Sequence, residues 1–385
     1  RTASFQEALT REDLQAGDRV AVWLPNCVDW VSFDIASLGL GLIVVPLYAH
    51  DSISNIAGIL SHCVASLLFL NTHAQWADLL PHLQDLPSLS SVWIRESNAH
   101  TVAAPAKRLN EALRETASSA FQRNCSKDSL ATIIYTSGTT DKPKGCMLTH
   151  FALLWNAEAV TKNITPYTSD IFLSILPLAH AFERPVGYYV PIMGGCTVAF
   201  SRSIGHFPAD LKIIQPTVLL SVPRLYERAY KAIKTATAGN ALKTLFLKLA
   251  VRLGWQTFEA AQGRAHPLGF TENLVWSLLE KRVALPIKEK FGGNLRVAVT
   301  GGAPMPDEIA KLLVALGMPI VAGYGLTEAG PVVSSNALED NFPTSVGRPL
   351  EGIKVSISDD GELLVRSPSA MSGYWNDPTL TSKAQ

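Results

Sequence analysis

The chain has little with which to build a disulfide framework or a zinc site. Its five cysteines (Cys27, Cys63, Cys125, Cys146 and Cys196) are odd in number, scattered, and never spaced as CxxC. They read as small buried thiols in a reducing, cytoplasmic setting. Charge of one sign is also missing: 33 Lys and Arg balance 33 Asp and Glu, so no global field draws the chain to nucleic acid. No apolar run reaches the ~20 residues that a bilayer-spanning helix needs. The longest, residues 36–48, is broken by glycine and proline. The start, RTASFQEALTRED, has no apolar signal core. No repeat period is visible, and the Walker A spacing GxxxxGK[ST] is absent. These absences exclude a transmembrane segment and a kinase-like P-loop, and leave room for peripheral membrane contact.

What is present is core. Apolar residues make up 47% of the 385 positions and charged residues 17%, enough to bury a large interior in two or three compact units. Short apolar runs alternate with helical stretches. Residues 18–24 read as a strand, 30–40 as a helix, 42–46 as a strand, 53–63 as a helix and 64–70 as a third strand. That β-α-β-α-β order predicts a parallel sheet sandwiched by helices. The polar segment 98–127 reads as a surface connection, and Leu130–Tyr135 as a buried strand. A second series begins at Asp170, with IFLSILPLAH, CTVAF, TVLLSV, LRVAVT and PIVAGYG as strand-like runs. Residues 223–292 are helical in character. Beyond Gly347 the texture becomes β-like, with Asp359-Asp360-Gly361 as a hairpin turn between KVSIS and ELLVRS.

Four segments carry candidate chemistry. Tyr135-Thr-Ser-Gly-Thr-Thr-Asp-Lys-Pro-Lys-Gly145 follows a strand with hydroxyls, glycine-freed backbone N–H groups and lysines, all suited to phosphate oxygens. An ordinary polar loop has the same composition. Thr300-Gly-Gly-Ala-Pro-Met-Pro306 puts small residues at a strand end, where a planar ring can approach the backbone; a plain strand-to-helix turn reads the same way. Gly323-Tyr-Gly-Leu-Thr-Glu-Ala-Gly330 offers an aromatic face, a hydroxyl and one carboxylate. A lone Glu suits a Mg²⁺ shared with phosphates, although a solvated Glu is the plainer account. His180, in Leu176-Pro-Leu-Ala-His-Ala-Phe-Glu-Arg184, sits at a strand end, where a single histidine is more often structural. Three such segments at strand carboxyl ends are more specific together than any one alone.

The motifs YTSGTTDKPKG, LPLAHAFERP, SVPRLYERAYKAI, VTGGAPMP, GYGLTEAGPVVSSN, SVGRPLEGIKV and DGELLVRSPSAMSGYWNDP occur in that order. Taken together, the sequence resembles the adenylate-forming (AMP-binding) superfamily, most closely long-chain fatty acyl-CoA synthetases. The resemblance implies an α/β fold with two parallel-type sheets flanked by helices plus a small β-unit, as in the large N-terminal domain of adenylate-forming enzymes. That domain would span 1–346, with subdomains of roughly 1–165 and 166–346, and 347–385 would begin the small β-subdomain. It also implies ATP-dependent activation of a fatty acid to acyl-AMP, with ATP, Mg²⁺ and coenzyme A as small-molecule partners. Thr136, Ser137, Gly138, Thr139, Thr140 and Lys144 would hold the phosphates. Gly301, Gly302, Ala303 and Pro304, with Tyr324 and Gly325, would cradle adenine. Thr327 would contact phosphate, Glu328 would bind Mg²⁺, and His180 would lie beside the acyl group; Glu328, Thr327, Lys144 and His180 are the catalytic candidates.

Departures from the family pattern shape further expectations. Asp141 stands where the family usually has Gly or Ser. A carboxylate ~6 Å from a phosphate charge, at an effective dielectric of ~20, costs about 2–3 kcal/mol. Ser367 replaces a usual Gly. The chain stops at Gln385, before the family's ribose-binding Asp motif, hinge and C-terminal domain with its Lys, so slow adenylation is expected. The alternatives are an acyl-AMP ligase loading a carrier protein and a non-catalytic acyl or nucleotide sensor.

Overall fold

The computed structural model describes residues 1–96, 102, 104–113, 125–136 and 144–384. The chain divides into two compact units. The first comprises 1–154, 177–181 and 369–385, and the second 155–176 and 182–368.

In the first unit the strands are β1 Arg19–Trp23, β2 Ile43–Pro46, β3 Leu67–Thr72, β4 Ser91–Glu96, β5 Ala106–Arg108, β6 Leu130–Thr136 and β7 Lys144–Thr149. The strand Gly373–Tyr374 returns to the edge beside β7. Strands β5, β4, β3, β1, β2 and β6 lie side by side in that order, all parallel, with helices on the connections that follow β1, β2 and β3. Two of these crossovers are α1 Val28–Gly39, after β1, and α2 Ile53–Cys63, after β2. Helix α2 starts where Ser52 accepts a hydrogen bond from the Asn55 N–H, and ends where Val64 turns left-handed. Phe5, Phe33, Phe69 and Trp93 meet at ring distances of 5.2–6.2 Å on one face of the sheet. The β-α-β-α-β reading of residues 18–70 is the architecture found. Parallel order ends at β6, because β7 follows after a connection too short for a crossover and pairs antiparallel.

The second unit repeats the plan. Its strands are β8 Ile171–Ser174, β9 Thr197–Phe200, β10 Val218–Ser221, β11 Val297–Thr300, β12 Ile320–Gly325 and β13 Val332–Ser335. Strands β9, β8, β10, β11 and β12 are parallel in that order, and β13 closes antiparallel on β12. Arg348–Pro349 then pairs with β13. Between β10 and β11 run α3 Pro223–Thr237, α4 Ala241–Ala261 and α5 Phe270–Leu279, which account for the helical texture of 223–292. Helix α6 Asp307–Ala315 follows β11, with Pro306 at its N-cap and Asp307 and Glu308 in its first turn, where the helix dipole favours negative charge. The core gathers Leu219, Tyr226, Leu253, Leu313 and Ile320. Lys354–Ile357 and Leu363–Arg366 form the expected antiparallel hairpin around the Asp-Asp-Gly turn.

At the amino-terminal ends of these strands, Asp170 ties the starts of β8, β10 and β11 to one another. Its carboxylate accepts from Arg296 Nε at 2.7 Å, from Thr217 Oγ1 at 2.7 Å and from the Tyr167 N–H at 2.8 Å. The Arg296 guanidinium also lies over the Tyr167 ring. Burial alone would raise the carboxyl pKa; the Arg296 hydrogen bonds and charge outweigh it, and the net shift is downward.

Candidate functional site

In the first unit, the glycine/hydroxyl segment joins two strands that face each other. Thr136, the last residue of β6, is paired in register with Lys144, the first of β7. Ser137, Gly138, Thr139, Thr140 and Asp141 lie outside the described residues, as do Lys142 and Pro143. The seat of the hairpin is tightly built. A side chain at Gly145 would meet Ile133, Tyr135 and the Trp375 Cβ at 2.8–3.2 Å. Tyr135 is buried, with its hydroxyl 2.7 Å from His62 Nδ1, and burial raises its pKa. The Lys144 ammonium lies 5.9 Å from the centre of the Tyr374 ring. Sequence reading did not single out Tyr374; its signal was its place in the SGYWNDP block.

His180 belongs to a short turn in which its N–H donates to the Pro177 carbonyl at 2.8 Å. The Leu178 N–H donates to Asn26 Oδ1 at 2.9 Å and anchors that turn. The imidazole meets the Tyr48 ring edge-on at 6.5 Å. The residue keeps an exposed edge, and desolvation by the protein around it shifts its pKa downward from the ordinary imidazole value.

In the second unit, two of the candidate segments meet on adjacent strands. Strands β11 and β12 are parallel neighbours with Thr300 opposite Ala322, so Gly301 and the Gly323-Tyr324-Gly325 run emerge side by side at the sheet's carboxyl edge. A Cβ on Gly301 would sit 3.5 Å from the Gly323 carbonyl oxygen and 3.6 Å from the Phe182 ring. Gly302 has φ +78°, a left-handed conformation that favours glycine. Gly302, Ala303 and Pro304 are exposed, as is Tyr324. Gly325 has no room at all: a Cβ would lie 1.9 Å from the Pro331 carbonyl oxygen, which accepts the Leu326 N–H at 2.9 Å and closes the β12–β13 connection. Thr327-Glu328-Ala329 is a single helical turn on that connection, with Thr327 and Glu328 both half-buried.

Two buried polar groups were not flagged by the sequence reading. Thr300 ends β11 with its hydroxyl buried and without a hydrogen-bond partner among the described residues. Glu183, three residues after His180 in the sequence but inside the second unit, is fully buried. Ser174 Oγ donates to its Oε1 at 2.7 Å, and burial pushes its pKa up to about 8. No pattern in one sequence distinguishes such a carboxyl from an exposed one.

The sequence signature of the AMP-binding enzymes matches residues 1–375. Long-chain-fatty-acid–CoA ligase FadD15 of Mycobacterium bovis is 31% identical over 380 residues, which cover 96% of this chain and 62% of that protein. The chloroplastic long-chain-fatty-acid–[acyl-carrier-protein] ligase AEE15 of Arabidopsis thaliana is 26% identical over 98% of this chain and 59% of its own length. The chain thus spans about three fifths of these relatives. Among solved structures, the anthranilate CoA ligase AuaEII in complex with anthranoyl-AMP superposes with a TM-score of 0.78 at 19% identity, over 99% of this chain and 66% of that one. That likeness establishes the shared fold.

Proposed function

The chain belongs to the family of AMP-binding enzymes, and on that premise we propose that it activates a fatty-acid carboxylate with Mg-ATP. A carboxylate oxygen attacks the α-phosphorus, the bond to pyrophosphate breaks, and acyl-AMP forms. The thiol of coenzyme A then attacks the acyl carbon, and AMP leaves.

The observation that carries this reading is the pairing of β11 and β12. It brings Gly301 and Tyr324-Gly325 to one edge of one sheet, where bare backbone and an exposed aromatic ring suit adenine. In this reading Thr136 and Lys144 close the loop that binds phosphate. Fixed donors and an ammonium aimed at charge that grows in the transition state accelerate such transfer. Thr327 adds a hydroxyl. Glu328 fits a Mg²⁺ carried by the nucleotide, since that ion takes one or two carboxylates plus phosphate oxygens; when bound it neutralises phosphate charge. His180, whose pKa is shifted downward, orients the acyl carboxylate as a hydrogen-bonding ring.

Fatty-acid-dependent exchange of labelled pyrophosphate into ATP tests the first half-reaction. Exchange that requires both Mg²⁺ and a fatty acid is expected; nucleotide binding with no fatty-acid dependence would favour a sensor. The second half-reaction has a second reading, because AEE15 is named for a carrier-protein acceptor. Thioester formation offered coenzyme A and acyl-carrier protein side by side separates the two.

A further inference from the structure

Helix α5 is apolar on both sides. Leu279 is buried, and Trp276 packs partly against the core. The opposite face carries Phe270, Leu274 and Leu278, spaced four apart and therefore stacked along one stripe. These side chains are 89%, 62% and 60% exposed. A helix at rest in water places polar residues there. The neighbouring α4, which packs against α5, repeats the feature in its first two turns, where Leu242, Leu245 and Phe246 are exposed.

The segment that holds these stripes is basic, and the acidic Glu272 and Glu280 of α5 and its end are paired with Arg252 and Lys288. Residues 223–290 hold twelve Lys and Arg against five Asp and Glu, a surplus of seven positive charges in a chain whose total is zero. Lys281 and Arg282 stand three and four residues past Leu278, in the π-helical turn Glu280–Ala284 that continues α5. Both are exposed, and neither has an acidic partner among the described residues. Lys243 and Lys248 flank the α4 residues and are likewise exposed.

We propose that the Phe270–Leu274–Leu278 face of α5, flanked by Lys281 and Arg282, docks on an anionic lipid surface. Exposed apolar side chains beside basic ones are what an interfacial helix presents to acyl chains and anionic headgroups. A second copy of the chain would bring the same positive surface against itself, and like charge opposes that contact. The face uses none of the residues assigned to nucleotide, so its loss leaves nucleotide binding intact.

The test is co-sedimentation of the full chain with vesicles of phosphatidylcholine alone and of phosphatidylcholine mixed with phosphatidylglycerol. The wild type is expected to pellet with the anionic vesicles, to stay in solution with the neutral ones, and to be released by salt. Lys281→Ala/Arg282→Ala should weaken binding about 20–30-fold, from about fivefold for each basic residue at such a surface. Leu274→Glu/Leu278→Glu should abolish it while circular dichroism and nucleotide binding stay at wild-type values. Wild type that remains in solution with anionic vesicles overturns the proposal, whatever the variants do. So does a wild-type dimer, seen by light scattering, that the Leu274→Glu/Leu278→Glu variant dissolves; the occupant is then a second copy.

Discussion

Thr136 and Lys144 face each other across an antiparallel pair, so both ends of the glycine/hydroxyl segment are fixed by the same strand ladder. The two ends therefore lie on adjacent antiparallel strands, unlike the ends of a P-loop, which runs from strand into helix. Such a pair holds both ends of the segment, and the lysine that closes it cannot drift from the threonine that opens it. The β12–β13 connection, which carries Thr327 and Glu328, likewise joins two antiparallel neighbours in the second unit. Each candidate phosphate or metal segment thus sits where a parallel sheet turns antiparallel.

If Lys144 supplies charge to the phosphates, Lys144→Ala should lower pyrophosphate exchange by about 10²–10³-fold, the usual effect of removing one such donor. Lys144→Arg should recover part of it. Asp141→Gly should act in the opposite direction and tighten Mg-ATP binding by up to about a hundredfold, which corresponds to the 2–3 kcal/mol of carboxylate–phosphate repulsion. Exchange kinetics and calorimetric titration of ATP read the two effects separately.

Gly325 and Gly301 should respond differently to the same added methyl. Gly325→Ala drives a Cβ onto the Pro331 carbonyl and should destabilise the fold by about 1–3 kcal/mol or more, seen as a lower Tm. Gly301→Ala meets only ordinary contacts and should leave Tm nearly unchanged. Its effect should appear as weaker Mg-ATP binding, by roughly 5–150-fold if the methyl intrudes on adenine. Unchanged ATP affinity in Gly301→Ala would remove this strand end from the nucleotide site.

Glu183 should make stability depend on pH in a window the surface carboxylates do not. Burial raises its folded pKa from 4.5 to about 8, so the folded state binds a proton that the unfolded chain releases. That contribution is fully present below pH 4.5 and is lost as pH rises through about 8. The size is on the order of a few kcal/mol. Glu183→Gln keeps the neutral shape and should flatten the fall in Tm across this range. Parallel Tm–pH curves for the two proteins would mean that the carboxyl is ionised in the fold.

Asp170 predicts the opposite sign. Its folded pKa is depressed, so its contribution is present above 3.8, its ordinary value, and is lost as pH falls through the folded pKa. Asp170→Ala leaves Arg296 without its carboxylate. It should cost about 3 kcal/mol, the low end for a buried pair because Arg296 keeps some contact with water. Urea denaturation at neutral pH measures it, and the gap from wild type should narrow in strong acid.

The parallel strands and crossover helices were legible because strands buried on both faces are short apolar runs such as Val20–Trp23 or Val297–Thr300, set between longer helical stretches. Strands β7 and β13 were not. KGCMLT and PVVSS are short, mixed in polarity and directly attached to candidate loops, so the loop chemistry dominates the reading. The site motifs were legible through glycine, hydroxyl and proline patterns. Glu183 and the orphaned Thr300 hydroxyl were not, since burial of a polar group is decided by what packs over it. The apolar face of α5 was hidden for the converse reason: FTENLVWSLL lies in a stretch that reads only as helical, and its surroundings alone reveal that part of its apolar surface faces water.

The most direct measurement is calorimetric titration with a stable mimic of fatty acyl-AMP, in which a sulfamoyl group replaces the phosphate. Binding far tighter than that of sulfamoyl adenosine without the acyl chain, and weakened by both Gly301→Ala and Tyr324→Ala, is the predicted result. Equal affinity for the acylated and bare nucleosides, or no binding of either, would contradict fatty-acid activation by this chain.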